Sequence, residues 1–376
     1  YKIENLINHK VYIGQSVNIY KRWREHKCYE HNPHLRRQGL PEQKILRAFS
    51  LDLIEWEKDR DFVFEAPEQY EIHDWRDPFV YYDEELKEYR MLLAARDKND
   101  KPFFSKGLTL LATSKNCDTW TLADKPFYYP HSYFTHECPD LFKMGDWWYL
   151  VFSEFTDKIS TTYRMSKTPY GPWHAPLNNT FDGHAFYAAK SWVDSNGRRI
   201  LFGWNCIKNN EQDFDWWQWG GTIIPHEIIQ NSDGTLSVRC PDEVRNAFVD
   251  TFNLEKTRTL GSISEYNGTY HLGDENDGTH IQMFNQIPNT CKITLKFKTE
   301  DLRGDLGIIL RGQDNLDRYY KVKFEPRFNR LAMDSCPRKD GNLHVSVDTE
   351  RYIELKPGET NEVLIIMQES VLEVYV

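Results

Sequence analysis

The sequence predicts an all-β protein in which a β-propeller is followed by a β-sandwich. Beyond residue 51, short apolar runs alternate with turns rich in Asn, Asp, Gly and Pro, at spacings of about 8 to 12 residues. No long stretch shows the 3.6-residue periodicity of a helix. A sandwich would also fit these strand lengths. However, hairpin patterns recur between residues 75 and 204, and such a repeat favours propeller blades around an axis.

The composition excludes several classes of function. The 376 residues carry a net charge of −10, so the chain is not expected to bind nucleic acid or a membrane surface. The 7 cysteines are scattered and odd in number, and no signal-peptide pattern is visible, which favours a cytoplasmic location. Aromatic residues make up 14% of the chain, and exposed rings suit the apolar faces of sugars. We expect no cofactor and no metal site, and the oligomeric state stays open.

Residues 1–50 differ from the rest of the chain because they are strongly basic. Two short strands around an Asn8–Lys10 turn precede a helix that Ser16 would cap, so a small α+β segment is expected here. The two tyrosine-bearing strands, Tyr1–Ile3 and Val11–Ser16, and the basic helix Lys21–His26 resemble the start of the GIY-YIG endonuclease family.

This resemblance implies a nuclease remnant. By it, the phosphate-facing and base-like residues would be Tyr1, Tyr12, Arg22 and His26. The resemblance stops near Ser50, before the helix that supplies the family's metal-binding Glu. A phosphodiester cleaver without its metal ligand loses the main means of neutralising the developing charge. Retained nuclease activity is therefore not expected.

Three hairpins form the middle of the chain, and each has an acidic residue at its entrance. The hairpins span residues 79–93, 140–152 and 186–204, and the acids that precede them are Asp77, Glu137 and Asp182. Because equivalent ends of propeller blades face one funnel, the three carboxylates are expected to converge. Carboxylates in one cleft push their pKa values apart, so that one can act as a general acid. Each acid taken singly is better explained as a turn residue, but three acids in matched positions favour a functional site.

The same motifs resemble those of glycoside hydrolase family 32, the invertase and fructanase group. Trp75–Pro78 and Glu137–Asp140 are similar to its RDP and EC motifs, and Ser50–Glu57 is similar to its S-x-D-L-x-x-W-E strand. Further matches are Phe186–Ala189, Gly203–Trp204 and Ile224–Glu227, the last of which stands where the family usually has Pro-Arg-Glu. The resemblance covers about residues 50–376.

The resemblance implies a five-bladed propeller, with an incomplete first blade here, followed by a β-sandwich. It also implies retaining hydrolysis of β-fructofuranosides such as sucrose and fructans. Carried over residue by residue, Glu137 is the acid/base and Asp77 the transition-state stabiliser. The residues that would contact the substrate are Arg76, Asp182, Tyr187 and Trp204.

One residue that this reaction needs is not found. The resemblance places the nucleophile on the first blade, in a motif like Asn-Asp-Pro-Asn-Gly, and no such motif is present. A retaining glycosidase needs an attacking carboxylate, so the leading interpretation is a glycoside hydrolase whose activity stays open. Two alternatives therefore stay open: a non-catalytic carbohydrate-binding protein, and a GIY-YIG-type nuclease fused to a β domain. Because two likenesses abut at Ser50, the join is expected to be a natural fusion or an assembly artefact.

The remaining residues predict a second β domain. We expect the propeller over residues 51–245 and the sandwich over residues 256–376. The alternation in Lys292–Phe297 is typical of a half-buried antiparallel strand. No acid pair or histidine cluster stands out here, which favours a packing role. The run Val371–Val376 ends the chain within a strand pattern, so the sandwich is expected to be incomplete at its C-terminus.

Overall fold

A computed structural model shows that the described chain is built almost entirely of strands. It describes residues 3–4, 11–12, 42–99, 102–156, 158–183, 185–212, 215–273, 278–337 and 349–376. Within these ranges the only α-helix is α1 (Asp242–Asn246), and three 3-10 turns lie at Phe103–Ser105, Asn209–Glu211 and Pro326–Phe328. The all-β prediction is confirmed. None of the helices in the described ranges is long and apolar enough to cross a lipid bilayer.

The N-terminal segment is described only at two short strands. β1 (Ile3–Glu4) and β2 (Val11–Tyr12) pair in antiparallel register, which agrees with the two strands expected there. Tyr12 lies in β2, whereas Tyr1, Arg22, His26 and the expected helix lie outside the described residues. The nuclease-like roles of these four residues stay predictions.

Four antiparallel sheets follow in chain order. The first contains β3 (Ile45–Phe49) and β4 (Glu57–Phe64), and the second contains β5 (Arg76–Asp83), β6 (Glu88–Arg96), β7 (Gly107–Ser114) and β8 (Thr121–Leu122). The third contains β9 (Glu137–Met144), β10 (Trp147–Glu154) and β11 (Ser160–Ser166). The fourth contains β12 (Phe186–Val193), β13 (Arg199–Lys208), β14 (Trp217–Gln230) and β15 (Leu236–Arg239).

The three predicted hairpins are present as β5–β6, β9–β10 and β12–β13. Met144 pairs with Trp147 across a tight turn in which Gly145 has a φ of 56°. The turn between β12 and β13 uses Gly197 at a φ of 79°. Short hairpin connections favour residues that tolerate positive φ, so the turn sequences determine the register of these strands.

Successive sheets pack on one another through alternate residues of their strands. On β6, Met91 and Leu93 belong to a buried cluster with Ile45 of β3. Leu92, between them, belongs to another cluster with Leu150 of β10. Because neighbouring side chains of a strand point to opposite faces, one strand serves two interfaces. This stacking of sheets is the arrangement expected of propeller blades.

Four further sheets follow residue 240. Two small sheets pair β16 (Lys256–Leu260) with β19 (Ile281–Phe284), and β17 (Ile263–Tyr266) with β18 (Thr269–Leu272). A third has the order β20 (Thr290–Lys298), β25 (Thr360–Gln368), β26 (Val371–Tyr375). The fourth has the order β21 (Leu306–Leu310), β22 (Tyr319–Glu325), β23 (Arg330–Cys336), β24 (Thr349–Tyr352). The half-buried strand predicted over Lys292–Phe297 lies within β20.

The contacts divide the chain into two compact units. Residues 1–239 and 302–355 form the larger unit, and residues 240–301 and 356–376 form the smaller one. The sheet β21–β24 therefore belongs to the same unit as the four sheets of residues 45–239. The predicted domains, 1–50, 51–245 and 256–376, stay predictions.

Candidate active site

The first strand of three successive sheets is interrupted by the same kind of β-bulge. In β5, β9 and β12 the register shifts so that two residues oppose one on the neighbouring strand. The first bulged residue has a positive φ in each case: 58° at Asp77, 52° at Cys138 and 53° at Ala188. Such a conformation costs a non-glycine residue on the order of 1 kcal/mol. Bulges re-aim side chains next to active sites, so these three positions point to a functional surface.

The residues directly before the three bulges contact one another. Arg76 Nη2 lies 2.6 Å from Glu137 Oε1, and Arg76 Nε donates to the same oxygen at 3.2 Å. Tyr187 donates its hydroxyl proton to the other oxygen, Oε2, at 2.6 Å. All three residues are buried. The fold therefore brings an arginine, a glutamate and a tyrosine from equivalent positions of three sheets to one point.

The charge of Arg76 is shared by three carboxylates. Asp74 Oδ1 lies 2.6 Å from Arg76 Nη1, and Asp77 Oδ2 lies 3.9 Å from Arg76 Nε. Burial opposes the charge of the guanidinium. The negative charges of Asp74, Glu137 and Asp77 outweigh burial and hold the pKa of Arg76 well above its ordinary value. Arg76 is therefore a permanent cation between the two predicted catalytic acids.

Tyr187 is a neutral donor to Glu137. Its ring is 1% exposed. Burial, together with the adjacent charge of Glu137, raises the pKa of Tyr187 well above its ordinary value. A phenol has a single O–H donor, and Tyr187 uses it in the hydrogen bond to Glu137. Tyr187 therefore positions the predicted acid/base.

Asp77 is held by the bulge of the next sheet. The backbone N–H of Cys138 donates to Asp77 Oδ2 at 3.0 Å, and the Cys138 thiol lies 3.7 Å from the same oxygen. The positive φ at Cys138 aims its N–H at this carboxylate. Glu137 and Asp77 thus lie within reach of one guanidinium, which supports the predicted pairing of an acid/base with a second carboxylate.

Aromatic rings line the site beside Tyr187. The ring centroid of Trp219 lies 4.9 Å from that of Tyr187, and that of Trp204 lies 5.4 Å from both. Phe155 meets Trp219 edge to face at 6.0 Å. Trp204, Trp219 and Phe155 are each half-buried, and we call them the aromatic wall. Trp204 was predicted, but Trp219 and Phe155 were not.

The sequence signal for Trp219 exists but does not single it out. Trp216, Trp217 and Trp219 stand within four residues of one another. Trp216 and Trp217 are 75% and 59% exposed, whereas Trp219 points toward Tyr187. Only the course of β14 distinguishes them.

Asp182 has other partners than the two predicted catalytic acids. His226 Nε2 lies 3.0 Å from Asp182 Oδ2, and Arg351 donates to the Asp182 carbonyl. Burial disfavours the charged carboxylate, but the bond to His226 and the charges of His226 and Arg351 outweigh it and lower its pKa. In the fourth sheet, the position that matches Glu137 is occupied by Tyr187. A substrate contact for Asp182 stays a prediction.

No attacking carboxylate is assigned among the described residues. Asp74 is close to Arg76, but its Oδ1 faces Arg76 and its Oδ2 lies 3.3 Å from Arg96 Nε. A carboxylate held by two guanidinium groups is poorly placed to attack a sugar. Asp74 is therefore not assigned as the nucleophile that was missing from the sequence motifs.

A protein-family model matches more than half of the chain. The N-terminal domain of glycosyl hydrolases family 32 matches residues 12–238, which include β5, β9 and β12. The chain belongs to glycosyl hydrolase family 32. The match begins upstream of residue 50 and so overlaps most of the nuclease-like segment; the GIY-YIG likeness itself stays a prediction.

Related proteins with functional names are identical to this family 32 chain at about a quarter of the aligned positions. Sucrose-6-phosphate hydrolase of Escherichia coli is 28% identical over 319 residues, which are 80% of this chain and 62% of that protein. Levanase of Bacillus subtilis is 24% identical over 312 residues, which are 76% of this chain and 42% of that protein. The chain therefore spans less than two thirds of the length of both relatives.

Solved structures show the same fold. Sucrose-6-phosphate hydrolase of Lactobacillus gasseri superposes with a TM-score of 0.62 at 15% identity, over 100% of this chain and 70% of that one. Exo-inulinase of Aspergillus awamori superposes with a TM-score of 0.60 at 18% identity, over 89% and 67%. The predicted propeller followed by a sandwich is confirmed.

Proposed function

We propose that this family 32 chain is a glycosidase that hydrolyses β-fructofuranosides. The observation that carries the proposal is the buried contact of Glu137 with Arg76 and Tyr187, beside Asp77 and the aromatic wall. Family membership supports the reaction class. The names of the relatives, which include a sucrose-6-phosphate hydrolase, a raffinose invertase and a levanase, support a fructose-containing substrate.

The proposed chemistry assigns one task to each group. Glu137 gives a proton to the glycosidic oxygen as its bond to the fructosyl carbon breaks, and it later takes a proton from the water whose oxygen forms the new bond to that carbon. Arg76 and Tyr187 hold the two oxygens of Glu137, so the carboxyl group keeps one orientation. Asp77 stays beside the sugar ring, where a negative charge stabilises an oxocarbenium-like transition state. The aromatic wall packs on the apolar face of the sugar.

A second candidate is sugar binding without cleavage. The aromatic wall favours it, because ring packing does not depend on an attacking carboxylate. A retaining reaction needs a second carboxyl group about 5 to 5.5 Å from Glu137 in the role of nucleophile. Asp74 and Asp77 are both held in other contacts. Binding and cleavage therefore have to be measured separately.

The deciding experiment measures fructose released from sucrose, raffinose and levan by the purified chain. We expect release to fall by about 10²- to 10⁴-fold in Glu137→Gln, since the proton donor is lost while the size of the side chain is kept. The control is Glu325→Gln. Glu325 is buried like Glu137, but it lies in the sheet β21–β24 and pairs there with Arg330. If the wild-type chain binds fructosides but releases no fructose, the hydrolase proposal is wrong and the sugar-binding candidate takes its place.

Nuclease activity is left out of the proposed function. Its support is the resemblance of residues 1–50, and the family 32 match overlaps this segment from residue 12. Nicking of supercoiled plasmid by the wild-type chain, lost in Arg22→Ala, would restore it. We expect no nicking with either protein.

A further inference from the structure

Arg96 is a buried cation next to the site, and several groups hold it in place. Its side chain is 2% exposed. Nη1 donates to the Phe134 carbonyl at 2.5 Å and Nη2 to the Phe103 carbonyl at 3.1 Å, while the guanidinium lies 3.5 Å from the centre of the Phe134 ring. Its Nε lies 3.3 Å from Asp74 Oδ2. Arg96 therefore gives Asp74 a fixed partner on one side.

Asp74 in turn holds Arg76 in place. Its other oxygen, Oδ1, accepts from Arg76 Nη1 at 2.6 Å, and Gln43 Oε1 accepts from the same nitrogen at 3.2 Å. A guanidinium is planar and rigid, so holding Nη1 determines where Nη2 and Nε point. Those two nitrogens are the ones that contact Glu137 Oε1.

We propose that Asp74 and Arg96 form a positioning pair that aligns Arg76 with Glu137. The pair touches no reacting atom and acts through Arg76 alone. As a contribution to catalysis, the proposal rests on the proposed function, because Glu137 is the acid/base there. As a statement about the alignment of Arg76, it can be measured whether or not the chain cleaves sugars.

The Nε–Hε group of Arg76 reports on this alignment directly. It points at Glu137 Oε1, so its hydrogen exchange with water requires the contact to open. The exchange rate is measured by ¹⁵N-edited NMR on the full chain, with the signal assigned by its disappearance in Arg76→Lys. In Asp74→Asn we expect exchange at least about tenfold faster than in the wild type, because Arg76 Nη1 loses its charged partner and is left with neutral acceptors such as Gln43 Oε1.

The matched control is Asp83→Asn. Asp83 Oδ2 also lies 3.3 Å from an arginine Nε, that of the buried Arg90, and it belongs to the same β5–β6 hairpin. This pair is not part of the chain of contacts from Arg96 through Asp74 to Arg76, so Arg76 exchange should match the wild type. Equal exchange in folded Asp74→Asn and in Asp83→Asn would overturn the proposal.

A second variant, Asp74→Glu, keeps the test decisive if Asp74→Asn does not fold. Asp74→Glu keeps the negative charge that Arg96 needs but displaces the carboxylate by one methylene. We expect near-ultraviolet circular dichroism like that of the wild type, with Arg76 exchange between those of the wild type and Asp74→Asn. If Asp74→Asn does not fold, unchanged exchange in Asp74→Glu refutes the positioning role.

Turnover gives the second readout. If the wild type releases fructose, Asp74→Asn should lower kcat by about tenfold or more and change KM by less than about threefold, since alignment of Glu137 matters most in the transition state. Asp83→Asn should change neither value. If the wild type releases none, the proposed function fails, and the exchange rates still decide whether Asp74 and Arg96 align Arg76.

Discussion

Replacing Tyr187 by Phe removes one hydrogen bond and little else. The lost bond joins the phenol to Glu137 Oε2 at 2.6 Å, and both side chains are buried. A hydrogen bond to a charged group contributes about 1.5 to 3 kcal/mol. At about 2 °C per kcal/mol for a domain of this size, we expect Tm to fall by about 3 to 6 °C at pH 7.

Tyr149→Phe provides the comparison. Tyr149 is 0% exposed, and its hydroxyl donates to the Gly234 carbonyl, also at 2.6 Å. The Tyr149 hydroxyl also accepts from Gln230 Nε2 at 2.5 Å, so the variant loses two hydrogen bonds with neutral partners, or about 1 to 3 kcal/mol in sum. Differential scanning calorimetry of both variants gives the two values. If Tyr187→Phe loses less than about 1.5 kcal/mol, the bond from Tyr187 to Glu137 is no stronger than one between neutral groups.

The pH dependence of this difference has a definite sign. The folded-state pKa of Tyr187 is raised well above its ordinary value of 10.0, so the folded phenol keeps its proton after the unfolded one has lost it. The stabilisation by Tyr187 relative to Phe is therefore fully present below pH 10.0 and is lost as the pH rises above it. A difference in stability that grows above this pH would contradict the assignment.

Three further predictions concern other parts of the larger unit. Trp219→Ala should weaken fructoside binding by about 0.5 to 1.5 kcal/mol, as measured by quenching of tryptophan fluorescence, whereas the exposed Trp216→Ala should leave it unchanged. Because the pKa of Asp182 is lowered, its stabilisation is present above its ordinary value of 3.8 and is lost as the pH falls below it. Urea unfolding of Asp182→Asn should therefore approach the wild type in acid, and a gap that widens there would contradict this. In Gly221→Ala the new Cβ would lie 1.8 Å from the Asn205 carbonyl oxygen, so we expect a loss of about 1 to 3 kcal/mol; Gly304→Ala, with open space around it, should show none in the same measurement.

The sequence was sufficient for the hairpins because their signals are local. Alternating apolar residues and turn residues such as Gly145 and Gly197 act within a few positions, and the structure has β5–β6, β9–β10 and β12–β13 where they were expected. The motif residues Arg76 and Glu137 were also predicted as members of one site, and the structure places them in contact.

The prediction of equivalent acids in the three hairpins was less successful, because spacing along the chain does not reveal the register of the strands. Asp182 was expected to correspond to Asp77 and Glu137. The bulges show that the position equivalent to Glu137 is Tyr187, while Asp182 pairs with His226. A bulge adds one unpaired residue, so the distance along the chain from an acid to its strand does not show where the side chain points.

Periodicity and turn chemistry, which act between near neighbours, are enough to predict an all-β chain with repeated hairpins and a family 32 likeness. The contact partners of each side chain depend on strands that are far apart in the chain. Arg76 and Glu137 are 61 residues apart, and Tyr187 is 50 residues beyond Glu137. Packing of three sheets and the strain at Asp77, Cys138 and Ala188 bring them together, and neither can be read from a single segment.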